Sequence, residues 1–93
     1  MIRRAPPPSF EGDGQFRIAA RSGPAHYTIE GDPARLRPGP LRLRGAITLT
    51  PELAEEAFRH GEGVLTTADG LVLRATMLGH TEGAATVFVE LKC

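Results

Sequence analysis

The sequence predicts an α+β domain dominated by antiparallel strands, a small barrel or twisted sheet of five to seven strands with one packed α-helix at about 51–60. Three observations carry this expectation. A single segment has helical periodicity with a start and a stop signal. Most other segments alternate apolar and polar residues with the period of a strand. Turn-forming residues recur at the close spacing of small all-β folds.

Residues 1–14 read as a flexible lead-in, because Pro6, Pro7 and Pro8 favour polyproline II and Gly12 and Gly14 weaken any persistent strand. The globular domain is then expected over 15–93. Phe16, Ile18 and Ala20 alternate with Arg17, Ala19 and Arg21, and Tyr27 and Ile29 share a face of a second strand. Ser22, Gly23, Pro24 and Ala25 between them read as the turn of a hairpin. Asp32 and Pro33 end that strand. Leu41, Leu43, Ile47 and Leu49 form the apolar face of a third strand, with Gly45 on the same face as a candidate bulge.

The helix follows directly. Thr50 is a suitable N-cap, Pro51 fits the first helical position, and Glu52 and Glu55 suit the positive end of the dipole. Leu53, Ala54, Ala57 and Phe58 form the apolar stripe expected to face the sheet. Glu55 and Arg59 are a favourably oriented i, i+4 pair, and Gly61 suits the left-handed residue that closes a helix.

Asp69 and Gly70 then suggest a hairpin with a two-residue turn, in which Thr66 faces Leu73 and Val64 faces Ala75. Residues 79–83 read as a further turn, and 84–91 as a β-branched strand that is central or tightly covered. The expected core is Phe16, Ile18, Tyr27, Ile29, Leu43, Ile47, Leu49, Leu53, Phe58, Leu73, Val87 and Val89.

Charge narrows the function classes. The 11 basic and 11 acidic residues balance, which excludes a uniformly basic nucleic-acid binder. The halves differ, since residues 1–44 hold most of the arginines and residues 45–93 most of the acids. Cys93 is the sole cysteine, so no internal disulfide forms, and the first residues lack the apolar run of a secretory signal. A cytoplasmic, non-membrane protein is the resulting expectation.

No catalytic signature is present. Glu52, Glu55 and Glu56 lie on the polar helix face, Ser9 and Ser22 lack a nucleophile-elbow context, and Gly12 to Gly14 lacks the rest of a dinucleotide fingerprint. His26, His60 and His80 share no metal-ligand spacing, so neither a metal site nor a cofactor is expected.

The strongest binding candidate is Arg35, Arg37, Arg42 and Arg44, four guanidinium groups within ten residues and without an intervening acid. Such groups grip phosphates or carboxylates bidentately. The competing reading is that they balance acids such as Glu30 or Glu90, and no aromatic accompanies them to stack a base.

The expected function is therefore a small non-catalytic binding or assembly module acting through a protein partner or self-association. One alternative is an anion or single-stranded nucleic-acid site on 35–44. The other is a small enzyme whose site is assembled by the fold and draws on His26 or His80.

Overall fold

The computed structural model describes residues 9–19, 21–31, 42–81 and 83–92. Among these the chain forms β1 Ser9–Ile18, β2 Arg21–Glu30, β3 Leu43–Thr48, α1 Pro51–His60, β4 Glu62–Thr66, β5 Val72–His80 and β6 Thr86–Lys92. The strands close into an antiparallel barrel in the order β1-β2-β3-β6-β5-β4. Two meanders, β1-β2-β3 and β4-β5-β6, thus join through β3–β6 and through a short seam between Gln15–Arg17 and Val64–Thr66. The expected α+β barrel with one helix is the fold observed.

Alternation fills the barrel. Phe16, Ile29, Ile47, Leu65, Val87, Val89 and Leu91 are the largest fully buried side chains, contributed by five of the strands. The helix adds Leu53, Ala54 and Ala57, and the two small alanines let its backbone come close. Its ends form as their residues dictate. The Leu53 amide donates to the Thr50 hydroxyl at 3.2 Å, and Gly61, at φ 83°, donates to the carbonyls of Ala57 and Phe58. Arg59 bonds Glu55 at 2.7 Å.

Several expectations are corrected. Phe58 is 41% exposed and lies against the His80 ring instead of in the core, so the buried stripe of α1 is narrower than its apolar stripe. Leu43 packs on the core only partly buried. Strand β1 begins at Ser9, so residues 9–14, read as lead-in, are paired with β2.

Ser22 to Ala25 are also strand, and the hairpin turns between Ile18 and Arg21. Pro24 is tolerated because it faces Gln15 at a position whose N–H points away from β1, before β2 begins to pair with β3 at His26. Residues 79 and 80, read as the start of a turn, belong to β5. Gly45 is regularly paired and forms no bulge; the irregularity lies between Met77 and Gly79.

The β4–β5 hairpin differs from expectation by one residue, and that is enough to turn over β4. Its loop is Ala68, Asp69 and Gly70. The Gly70 amide donates to the Thr67 carbonyl, the Thr67 amide donates to Leu71, and Gly70 at φ 91° supplies the left-handed residue. This is the three-residue turn with a glycine bulge, not the two-residue turn. The Thr67 hydroxyl accepts from the Leu71 amide at 3.0 Å and donates to Asp69, which stabilises the longer loop. Leu65 therefore faces Leu73, and the buried face of β4 carries Leu65 and Thr67 rather than Val64 and Thr66. Val64 is placed on the outer wall as a result.

Candidate anion-binding groove

That outer wall holds the most unusual electrostatic feature among the described residues. The strand register places Arg17 on β1 beside Val64 on β4, Val64 beside Arg74 on β5, and Arg74 beside Lys92 on β6. Four neighbouring positions across the barrel thus carry three permanent cations around one half-buried valine. Strands lie about 4.8 Å apart, so the Arg17 and Arg74 backbones are roughly 10 Å apart across Val64. Two arginine side chains spanning that gap can converge on one anion above the valine.

None of Arg17, Arg74 and Lys92 has a carboxylate at salt-bridge distance among the described residues, whereas other arginines do. Arg21 pairs with Glu56 at 2.6 Å and Arg59 with Glu55. Two like charges about 8 Å apart repel by roughly 0.5 kcal/mol in water and roughly 2 kcal/mol at the effective dielectric of a protein surface. The row is thus a concentration of positive charge without ion-pair partners among the described residues, with Glu62 lining the same groove. An anion arriving there relieves that repulsion as well as gaining its own attraction.

A groove of about 580 Å³ opens along the row. Arg17, Arg74 and Lys92 line it together with Ile18, Ala19, His60, Glu62, Gly63, Val64, Ala75 and Thr76. Gly63 and Ala75 turn inward, Gly63 against Phe16, so the outward cations supply the groove's attraction for an anion. Glu62 disfavours anions at its own end, so the attractive region is the Arg17–Val64–Arg74–Lys92 row.

The four arginines singled out from sequence are distributed differently. Arg35 and Arg37 lie outside the described residues. Arg42 reaches Glu90 at 3.8 Å. Arg44 is exposed and has Glu30 and Glu90 as its two ladder neighbours. Arg42 precedes the first residue of β3, Leu43 opposite Leu91, and so lies at the Lys92 end of the cationic row. Of the predicted cluster, Arg42 adjoins the groove and Arg44 sits in an acidic row.

The histidines play separate parts. His26 on β2 is held between the β1 carboxylates, with Nδ1 3.0 Å from Asp13 Oδ1 and Nε2 3.1 Å from Glu11 Oε1. Both ring nitrogens face carboxylate oxygens, an arrangement that favours the doubly protonated imidazolium. Its pKa is raised from 6.5, first by the hydrogen bond to Asp13, with desolvation next and opposing, and further by the charges of Asp13 and Glu11 and the bond to Glu11. His80 Nε2 donates to the Ala84 carbonyl at 2.8 Å. Neither lines the groove. The groove histidine is His60, the last residue of α1.

Among the described residues no group of three His, Cys, Asp or Glu side chains is arranged to hold a metal ion, and no helix is long and apolar enough to cross a membrane. Comparison with protein-family models, curated proteins and solved structures returns no match to the chain.

Proposed function

We propose that this chain is a small non-catalytic binding module that takes a phosphate- or carboxylate-bearing partner on the groove lined by Arg17, Arg74 and Lys92. The observation that carries the reading is the alignment of these three cations in one transverse row, none with a carboxylate partner among the described residues. Arginine recognises such groups through paired N–H bonds, and Lys92 adds a point charge beside Arg74. Among the described residues the groove is lined by no Phe, Tyr or Trp, and His60 is its single aromatic ring, which favours a compact anion over a stacked polynucleotide.

The test compares the wild-type chain with Arg17→Gln/Arg74→Gln, using inorganic pyrophosphate and a labelled oligothymidylate as probes. Pyrophosphate should bind the wild type at low salt and displace any bound oligonucleotide, and the double variant should lose at least about tenfold in affinity. If the oligonucleotide binds through these cations, three contacts set a log–log salt slope of about 2 in magnitude. Unchanged pyrophosphate affinity in a folded double variant overturns the groove assignment. Tight oligonucleotide binding that pyrophosphate cannot displace overturns the compact-anion class.

A further inference from the structure

We infer that the outer edge of β1, from Ser9 to Asp13, is a docking site for an extended peptide segment of a partner protein, one that alternates basic and apolar residues. Among the described residues the edge is unpaired. β1 pairs with β2 along Ser9–Ile18, but with β4 only over Gln15–Arg17. Among the described residues no strand covers the β4 side of Ser9 to Asp13.

Pro24 sets which backbone groups face outward. It cannot donate, and it faces Gln15, so that pair is of the non-hydrogen-bonded kind. Every second pair from there has the same character, which makes Asp13, Glu11 and Ser9 the residues whose N–H and C=O groups point away from β2. Gln15 and Arg17, of the same parity, direct theirs to β4, and a docked strand would continue that ladder.

The side chains define the occupant. Glu11 and Asp13 are exposed on the outer face, beside His26, while Phe10 on the opposite face is 40% exposed despite its size. A docked strand would therefore meet carboxylates on one face and an accessible aromatic ring on the other. Alternate basic and apolar residues match that pattern, and main-chain bonds supply the remaining affinity. A second copy of this chain is a poor occupant, because pairing of like edges sets Glu11 and Asp13 against the same carboxylates. Like charges directly opposite destabilise a strand pair, and charged edges commonly prevent self-association.

The experiment titrates a blocked Arg-Val-Arg-Val-Arg-Val peptide into the isotopically labelled full-length chain. Two controls accompany it: a version N-methylated at alternate residues, and the Glu11→Pro chain. Amide shifts should saturate and centre on residues 9–14, with cross-strand contacts from the peptide to Glu11 and Asp13. N-methylation removes the peptide's main-chain donors to the ladder, so affinity should fall at least about tenfold. Glu11→Pro removes one outward N–H and spares the bonds to β2, so it should weaken docking and leave the β1–β2 contacts intact. The N-methylated peptide gives the decision without a mutation if that variant fails to fold. Equal binding of the methylated peptide, shifts centred elsewhere, or no shifts would overturn the inference. So would concentration-dependent dimerisation of the free chain through β1.

Discussion

Replacing Gly14 with alanine would place a methyl group onto the Thr66 carbonyl oxygen, where β1 passes the end of β4. The obstacle is backbone, so no side-chain rotation relieves it. The Gly14 neighbourhood includes the shortest seam of the barrel, three residue pairs between Gln15–Arg17 and Val64–Thr66. Overpacking of this kind costs about 1–3 kcal/mol, and loosening one or two seam hydrogen bonds adds about 1 kcal/mol each. The smaller unfolded-state entropy of alanine returns about 0.4–1 kcal/mol. The net loss is about 1–4.5 kcal/mol, which for a domain of this size lowers Tm by about 5–35 °C. Thermal melts followed by circular dichroism measure it directly. Gly79→Ala is the matched control, since its added carbon meets nothing nearer than Phe88 Cδ2 at 3.9 Å and its φ is not left-handed. That variant should melt with the wild type or slightly above it. If Gly14→Ala also melts with the wild type, the seam does not hold the barrel closed as argued.

The bridge from His26 to Asp13 and Glu11 predicts a pH-dependent attachment of the first half of β1. The folded pKa lies above the unfolded one, so the stabilisation is fully present below about pH 6.5 and is lost as pH rises through the folded value. His26→Gln should flatten that part of the Tm–pH profile, and a wild-type profile equally flat from pH 5 to 9 would contradict it. Phe58→Gln should cost under about 1 kcal/mol and Phe16→Ala about 3–5 kcal/mol, because only Phe16 is enclosed. Chemical denaturation of both variants checks this, and similar losses would return Phe58 to the core.

Local chemistry made the helix readable in advance. Thr50, Pro51 and Gly61 act within a few residues of their own positions, and each does what its side chain dictates. The barrel was readable too, since alternation in β2, β3 and β6 selects the side chains that end up inside. Failures came where two local signals compete. Gly23 and Pro24 resemble a turn, yet Gly23 faces Phe16 within a ladder and lies under Leu53, while Pro24 sits where no donor is needed. Asp69 and Gly70 fit two turn types, and the Thr67 hydroxyl stabilises the longer one. Phe58 has helical spacing for the core but falls beyond the strip that α1 buries.

The groove was illegible for a different reason. Arg17, Arg74 and Lys92 are each an ordinary outward residue of a strand, and only register makes them neighbours. The one-residue change in the β4–β5 hairpin is what puts Val64, rather than Leu65, on the outer face between the two arginines. A cluster counted along the sequence favours residues such as Arg42, which reaches Glu90, and Arg44, whose ladder neighbours are Glu30 and Glu90.

Chemical-shift mapping of inorganic pyrophosphate on the isotopically labelled wild-type chain tests the groove most directly. The account predicts saturable shifts concentrated on Arg17, Val64, Arg74 and Lys92, weakened by added salt and absent in Arg17→Gln/Arg74→Gln. Shifts centred on Arg44, or none at all at low ionic strength, would contradict it.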